Sequence, residues 1–241
     1  MNVTFLGTGS AMPSPDRAQT GLLVDGDETL LVDCGSGVLG NLAATDAGYE
    51  DVDALLLSHH HTDHVSDLIP LLKARWLAGA DDLEIVGPPG TRDLVDGLLD
   101  VHDYLREKVA YDVREIETGE FSVAGFDGEA VETAHSMRCF AYRLDGFAYS
   151  ADTEASEELA AFADGVDLLV HDCSFPDGID VSNHPTPRAL GDVLAGHDYG
   201  TVYLTHLYPH TRGHEDAMVD SVNENYDSEV RIAQDGETVE L

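Results

Sequence analysis

Ala54–His64 reads Ala-Leu-Leu-Leu-Ser-His-His-His-Thr-Asp-His and combines a buried strand with a dense group of metal-binding side chains. The apolar run that opens it is typical of a β-strand inside a sheet. Because residues i and i+2 of an extended chain point to the same side, His59 and His61 are placed to share one metal ion. Asp63 and His64 then enter a predicted helix and face a second position. Imidazole and carboxylate ligands favour zinc, with manganese as the alternative.

Three further residues of ligand type follow predicted strands later in the chain. His135, Asp152 and His206 each come within two residues of the end of a β-rich run. In α/β sheets the carboxyl ends of the strands build the binding site. Taken singly, each of the three is more simply explained as a structural residue. Together with the His-x-His-x-Asp-His block, they predict a metal site.

Short β-rich runs alternate with helical stretches along the whole chain. The predicted strands are Val3–Leu6, Gly21–Val24, Thr29–Val32, Ala54–Leu57, Glu84–Val86, Glu129–Thr133, Phe140–Leu144, Phe147–Ser150, Asp167–Val170 and Thr201–Thr205. The predicted helices are His64–Ala78, Thr91–Leu105, Glu154–Ala163, Pro187–Ala195 and Glu215–Asn225. This pattern indicates an α/β protein with two packed sheets and helices outside.

Turn signals and the absence of linkers complete this prediction. The Gly26-Asp27 and Asp145-Gly146 pairs are typical of hairpin turns. A closing hairpin is predicted over Val230–Leu241 around Asp235-Gly236. No repeat or low-complexity tract divides the sequence, so we expect one domain over residues 1–241.

The sequence is strongly acidic. Lys and Arg total 12 against 47 Asp and Glu in 241 residues, a formal net charge of −35. The carboxylates are spread along the chain among regular apolar runs, which argues against an acidic tail or disorder. Since the Debye length falls to about 3 Å at molar salt, such a surface is tolerated there. We therefore predict adaptation to a very salty cytoplasm, and we find no basic patch for a nucleic-acid backbone.

The three cysteines, Cys34, Cys139 and Cys173, are too few and too scattered for a disulfide framework, so we expect them to be reduced and in or near the core. No apolar run approaches the length of a membrane span. The chain passes from Met1 directly into the predicted strand Val3–Leu6, without the features of an export signal. We expect a cytoplasmic protein without a membrane partner.

The order of the motifs resembles that of the metallo-β-lactamase superfamily over nearly the whole chain. The motifs are Gly7-Thr8-Gly9-Ser10, Leu31-Val32-Asp33-Cys34-Gly35, the Ala54–His64 block, Ser150-Ala151-Asp152-Thr153 and Leu204-Thr205-His206. The resemblance implies a four-layer αβ/βα sandwich, with Asp33 supporting the metal-binding loop. It also implies a ligand set in which His59, His61 and His135 hold one divalent metal, Asp63, His64 and His206 hold the other, and Asp152 bridges them. Two such metals activate water for attack on phosphorus or a carbonyl carbon.

Within the superfamily the chain is most similar to the branch of tRNase Z and phosphodiesterases. Leu168–Phe175 reads Leu-Leu-Val-His-Asp-Cys-Ser-Phe, similar to that branch's His-Glu-Ala-Thr-Phe segment, and Asn183–Thr186 stands in place of a His-Ser-Thr segment. The match implies that Asp172 and His184 deliver a proton to the leaving oxygen, although aspartate is one methylene shorter than glutamate. In the alternative, Asp172 caps a loop and His184 lies on the surface. The candidate catalytic residues are Asp63, which is also a predicted ligand, His184 and Asp172.

One departure from the branch bears on the substrate. The tRNA-processing members carry a long arm between the third histidine motif and the bridging aspartate, whereas only the hairpin Phe140–Ser150 separates His135 from Asp152 here. Processing of tRNA 3′ ends is therefore not expected. We predict a dinuclear phosphodiesterase whose substrate is a small phosphodiester, a cyclic nucleotide or a nucleic-acid end.

Several alternatives stay open at this point. An exonuclease acting on RNA or DNA is the second candidate, and a thioesterase or lactonase is the third. Diiron oxidoreductases of this fold carry Glu where this chain has His61, and a non-catalytic binding module is expected to have lost ligands. Relatives in the branch are often homodimers, so a homodimer is a further prediction.

A few polar residues have no assigned role. His60 points opposite to its neighbours, and we expect it to be packed behind the metal ligands. His210 and His214 line the entrance or cap a loop. Arg138 and Arg212 either hold a phosphate oxygen or form surface ion pairs.

Overall fold

The computed structural model describes residues 1–179 and 182–241. The strands are β1 (Asn2–Gly7), β2 (Gly21–Asp25), β3 (Thr29–Val32), β4 (Ala54–Leu56), β5 (Leu83–Gly87), β6 (Tyr111–Glu115), β7 (Gly119–Val123), β8 (Phe126–Glu132), β9 (Phe140–Leu144), β10 (Phe147–Tyr149), β11 (Leu168–Asp172), β12 (Thr201–Thr205), β13 (Glu229–Ile232) and β14 (Thr238–Glu240). The α-helices are α1 (Val38–Leu42), α2 (Thr62–Val65), α3 (Leu68–Ala78), α4 (Thr91–Val101), α5 (Glu157–Ala163), α6 (Pro187–Leu194) and α7 (Glu215–Val222).

The strands form two seven-stranded sheets of similar construction. The first has the order β14-β1-β2-β3-β4-β5-β6, and the second has the order β13-β12-β11-β10-β9-β8-β7. In each sheet, antiparallel hairpins give way to parallel strands: β3 to β6 are parallel in the first sheet and β10 to β13 in the second. The parallel strands of one sheet therefore end at a common edge.

Three apolar clusters separate four layers. The central one lies between the sheets and includes Phe5 and Tyr203, whose ring centroids are 5.0 Å apart. A second cluster packs the outer face of the first sheet against α1, α3 and α4, and a third packs the other sheet against α5, α6 and α7. The order helix, sheet, sheet, helix confirms the predicted αβ/βα sandwich.

Two helices show how local sequence sets their first residue. The side chain of Ser156 accepts a hydrogen bond from the Leu159 amide at the start of α5, and that of Thr186 accepts one from the Ala189 amide at the start of α6. These N-caps satisfy amides that have no partner inside the helix, and Pro187 adds a preset φ to α6.

The predicted closing hairpin is wrong. Although β13 and β14 flank Asp235-Gly236, β13 pairs with β12 in the second sheet and β14 pairs with β1 in the first. The cause is Asp235, whose carboxylate accepts hydrogen bonds from the Thr8 and Ala18 amides and so holds the turn against the first sheet. The chain thereby crosses from one sheet to the other.

The predicted helix over His64–Ala78 is two helices, α2 and α3, with a break between them. The Asp67 carboxylate accepts hydrogen bonds from the Gly37 and Leu39 amides, and the Asp67 amide donates to the Cys34 carbonyl oxygen. These contacts with a distant loop replace the helical hydrogen bonds at the break. The edge strands β6 and β7 were not predicted, because their exposed residues are largely polar or charged and the sequence shows no apolar run there.

The cysteines are buried, and the helices are short. All three cysteines are free and buried, as predicted. In the described ranges, the longest helices have 11 residues, and no helix has the length and apolar character needed to span a bilayer.

Candidate metal centre

The seven predicted ligands converge at one edge of the sandwich, where strands of both sheets end. His59 and His61 follow β4, His135 follows β8, Asp152 follows β10 and His206 follows β12. Side chains from residues 59 to 206 therefore meet in one place although they are distant in sequence. This is the placement that the strand-end pattern predicted.

Backbone strain is concentrated at the same edge. Within residues 1–179 and 182–241, six residues other than glycine have a positive φ, and four of them lie here: Asp33 (58°), Ala151 (50°), Asn183 (67°) and His206 (58°). The left-handed region costs an L-residue roughly 1–2 kcal/mol, and such residues persist where the surrounding structure fixes them. The sharp turns hold the side chains that follow the strands in the cleft.

The first donor cluster consists of His59, His61, His135 and one oxygen of Asp152. The Nδ1 atom of His61 lies 3.0 Å from Nε2 of His59 and 3.1 Å from Nε2 of His135. The Oδ2 atom of Asp152 lies 3.6 Å and 3.8 Å from the same two Nε2 atoms. Tetrahedral zinc with Zn–N bonds of 2.0–2.1 Å separates its ligand atoms by about 3.3 Å. The cluster thus has the spacing of a zinc ligand set.

The second donor cluster consists of Asp63, His64, His206 and the other oxygen of Asp152. Nε2 of His206 lies 3.2 Å from Oδ2 of Asp63, and Nε2 of His64 lies 3.7 Å from that oxygen. Oδ1 of Asp152 lies 3.3 Å from Nε2 of His64 and 3.4 Å from Nε2 of His206. Asp152 therefore directs one carboxylate oxygen to each cluster, which is the arrangement of a bridging ligand.

Unsatisfied polar atoms indicate that the clusters suit cations. His64 Nε2 and Asp152 Oδ1 are buried and have no hydrogen-bond partner. In the described part of the chain, no Lys or Arg forms an ion pair with the buried carboxylates of Asp33, Asp63 and Asp152. Buried charges without compensation are costly. Two divalent ions would supply both the missing charge and the missing partners, so the residues present fit them.

Asp33 orients the second donor cluster from behind. Its carboxylate accepts hydrogen bonds from the Ser58 amide and hydroxyl, from the His64 ring at Nδ1 and from the Tyr149 hydroxyl. The bond to His64 leaves Nε2 as the free ring nitrogen. Burial alone would lower the pKa of His64, but the charges of Asp152 and Asp33 outweigh it and raise that pKa well above its usual value. Since Tyr149 belongs to the second sheet, this network also joins the two sheets.

Asp172 and His184 lie together beside the clusters. Oδ2 of Asp172 is 2.8 Å from Nδ1 of His184, and the His184 ring stacks on His206 with centroids 5.2 Å apart. Asp172 is fully buried, whereas His184 lines the cleft. Burial opposes protonation of His184, but the hydrogen bond and charge of Asp172, aided by Asp152 and Asp63, raise its pKa. The alternative in which His184 lies on the surface, apart from Asp172, is therefore wrong.

The cleft over the two clusters has a volume of about 350 Å³, which suits a small ligand. Its lining residues are Ala11, His60, His61, Thr62, Asp63, His135, Ser136, Asp152, Asn183, His184 and Tyr208. No Lys or Arg belongs to this described lining. The positive charge available to a substrate there comes from histidines and from any bound metal.

Arg138, Arg212 and His60 each contact a residue outside the donor clusters. Arg138 lies 2.9 Å from Glu117 and Arg212 lies 2.8 Å from Asp16, so both form surface ion pairs. His60 was expected to be packed away from the ligands; its Nε2 does contact Thr91 at 2.8 Å, yet the residue also lines the cleft.

Two exposed histidines lie outside the described cleft lining. His214 immediately precedes α7. The ring of His210 lies 5.5 Å from that of Phe175. Neither residue contacts a donor cluster.

Sequence reasoning missed three residues of this site: Tyr149, Ser174 and Tyr208. Ser174 stands inside the segment that suggested Asp172, yet only the structure shows its contacts. Its hydroxyl lies 2.7 Å from Oδ1 of Asp172 and 2.8 Å from Nδ1 of His206. Tyr208 lines the cleft and stacks on Phe175, with centroids 4.4 Å apart. The position of Tyr208 two residues after the ligand His206 was the available signal.

The sandwich fold and the paired donor clusters define the class of the protein, a metallo-hydrolase of the β-lactamase superfamily. Within that class, residues 1–190 match the family model described as Anti-Pycsar protein Apyc1. The match covers more than half of the chain, and the chain belongs to that family.

Individual relatives and a solved structure support the superfamily. Ribonuclease Z of Mycolicibacterium gilvum (strain PYR-GCK) is 30% identical, with 100% of this chain and 96% of the relative covered. Probable metallo-hydrolase YhfI of Bacillus subtilis (strain 168) is 30% identical, with 98% of each covered. The crystal structure of the metallo-β-lactamase fold protein YhfI from Bacillus subtilis gives a TM-score of 0.85 at 28% identity and covers 99% of this chain and 98% of that one. The predicted superfamily is thus confirmed.

Proposed function

We propose that the protein is a dinuclear metal-dependent phosphodiesterase that acts on small phosphodiesters. The observation that carries this proposal is the Asp172–His184 pair, 2.8 Å apart, beside two donor clusters that share Asp152. A carboxylate–imidazole pair next to a metal centre suits protonation of an alkoxide leaving group, which a phosphodiester releases. Thioester cleavage releases a less basic thiolate and has less need of such a donor.

The proposed ligands of the two ions are those of the two donor clusters, with zinc as the first candidate and manganese as the second. Bound there, the ions would supply positive charge for the phosphoryl oxygens and lower the pKa of a water molecule. His184 holds a proton for the leaving oxygen. Asp172 orients the His184 ring through Nδ1 and stabilises its protonated form. Nε2 of His184 is then the nitrogen that is free to donate a proton in the cleft.

Small diesters are favoured over a nucleic-acid chain for two reasons. Only the short strands β9 and β10 lie between His135 and Asp152, so no long arm is present there. The described cleft lining lacks Lys and Arg, whereas proteins that bind nucleic acid neutralise several phosphates with such side chains. RNA remains the second candidate substrate, because several relatives carry the name Ribonuclease Z. The homodimer and the cytoplasmic location stay predictions.

The test is hydrolysis of bis-(p-nitrophenyl) phosphate in multimolar KCl. Protein treated with a chelator is compared with protein reloaded with zinc or manganese, beside His61→Ala and the matched control His102→Ala, which lies outside the clusters. We expect metal-dependent turnover that His61→Ala abolishes and His102→Ala retains.

A thioester and a 3′-labelled RNA are assayed in parallel. Shortening of the RNA at a rate similar to that of the small diester would replace the small-diester proposal with a nuclease. Turnover of the thioester alone would show that the phosphodiesterase proposal is wrong.

A further inference from the structure

Ser174 connects the two parts of the site. Its hydroxyl oxygen lies 2.8 Å from Nδ1 of His206, in the second donor cluster, and 2.7 Å from Oδ1 of Asp172, in the proton-donating pair. It also lies 3.1 Å from the carbonyl oxygen of His206. Ser174 and Asp172 are fully buried and His206 is 2% exposed, so solvent has little access to these contacts.

The chemistry of the groups fixes the direction of these hydrogen bonds. If Nε2 of His206 faces a metal, the ring proton is on Nδ1, and Nδ1 donates to the Ser174 hydroxyl oxygen. The hydroxyl then donates its own proton to Oδ1 of Asp172, which is an acceptor when ionised. Oδ2 of Asp172 accepts from Nδ1 of His184. The result is one chain of hydrogen bonds: His206, Ser174, Asp172, His184.

We propose that Ser174 is a positioning residue that couples the metal ligand His206 to the proton donor His184. This inference rests on the proposed function. One hydroxyl fixes both the ring of His206 and the carboxylate of Asp172, so the orientation of the proton donor depends on the metal centre. The rings of His206 and His184 also stack, with ring planes 20° apart.

Two substitutions separate the hydroxyl from the rest of the side chain. Ser174→Ala leaves both Nδ1 of His206 and Oδ1 of Asp172 without this partner in a buried place. Ser174→Thr retains the hydroxyl, and threonine occupies the same place in the His-Glu-Ala-Thr-Phe segment. The matched control is Ser221→Ala, a buried serine whose hydroxyl contacts Asp177 away from the cleft.

The first readout uses two diesters that differ only in their leaving group, methyl p-nitrophenyl phosphate and methyl phenyl phosphate, at saturating zinc. Phenol is the more basic leaving group and depends more on a proton donor. We expect Ser174→Ala to lower turnover of the phenyl ester at least tenfold more than that of the p-nitrophenyl ester. Ser174→Thr should restore the wild-type ratio, and Ser221→Ala should leave it unchanged.

The second readout is zinc affinity, measured by competition with a chromogenic chelator. Loss of a partner that orients a metal-binding histidine typically weakens affinity about 10–100-fold, so Ser174→Ala should bind zinc that much more weakly than Ser174→Thr. Equal loss on both esters together with unchanged zinc affinity would overturn the proposal. If the wild type hydrolyses neither ester, the proposed function fails and the zinc measurement alone decides the role of Ser174.

Discussion

Nδ1 of His184 lies 2.8 Å from Oδ2 of Asp172. The aspartate reaches the ring although the similar segment of the tRNase Z branch carries the longer glutamate. Next to His184, the Asn183 amide donates a hydrogen bond to the Glu154 carboxylate at 3.1 Å. Asp172 itself is held by the Thr153 amide and the Ser174 hydroxyl. The pair is therefore fixed from both sides.

Replacement of His184 should lower turnover most for substrates with a basic leaving group. We expect His184→Gln to lower turnover of methyl phenyl phosphate by about 10²–10⁴-fold, the usual contribution of a general acid. Methyl p-nitrophenyl phosphate, whose leaving group is stable as an anion, should lose much less. The two rates are measured at saturating zinc. Equal losses on both esters would mean that His184 does not donate the proton.

Asp33 should govern metal affinity without being a ligand. Asp33→Asn removes the charge that holds the Nδ1–H of His64 and places an amide against the Ser58 hydroxyl. We expect zinc affinity to fall about 10–100-fold. Competition with a chromogenic chelator measures it, with the exposed Asp51→Asn as the control. An affinity equal to that of the control would contradict the role assigned to the Asp33 network.

The convergence of the candidate ligands was predictable because its signal is local. The alternation of His59 and His61 and the position of His206 at a strand end are properties of a few adjacent residues, and a strand fixes where they point. The alternation of strands and helices predicted a layered α/β protein, and the resemblance to the superfamily implied the four-layer sandwich. Tertiary packing did not override the local structure that these periodic patterns predict.

The two wrong predictions and the missed role of Ser174 involve side chains that bond to distant parts of the chain. Asp67 breaks the predicted helix through the amides of Gly37 and Leu39, and Asp235 divides the predicted hairpin through the amides of Thr8 and Ala18. Ser174 reaches the ring of His206 only when β11 and β12 lie side by side. A sequence pattern does not encode these pairings, because they join residues that are 28 to 227 positions apart.

Removal of metal should destabilise the fold. The buried carboxylates of Asp63 and Asp152 lose their compensating charge when the ions leave, and any ligand that binds only the native state stabilises it by about 2.7 kcal/mol at 100 times its Kd. We expect excess chelator to lower the melting temperature, followed by circular dichroism in molar KCl. His61→Ala, which disrupts the first donor cluster, should show a smaller shift on chelation. An identical shift in both proteins would argue against metal binding at these residues.

The net charge of −35 includes a repulsive surface contact between Glu28 and Asp53. The carboxylates of Glu28 and Asp53 are neighbours, and the pKa of Glu28 is raised by its contact with Asp53 and by that charge. A carboxyl group whose pKa is higher in the folded protein destabilises the fold when it is ionised. Stability from this group should therefore increase as the pH falls through the raised pKa, opposite to a carboxylate in an ion pair.

Glu28→Gln should consequently stabilise the protein at neutral pH, and more at low salt than at high salt. At about 0.1 M salt the Debye length is about 10 Å and the repulsion from Asp53 is felt, whereas at 1 M it is about 3 Å and the repulsion is largely screened. The melting temperature is measured across a KCl series, with Glu107→Gln as an exposed control. If the two variants gain equally at every salt concentration, the gain reflects net charge alone and the contact between Glu28 and Asp53 contributes nothing.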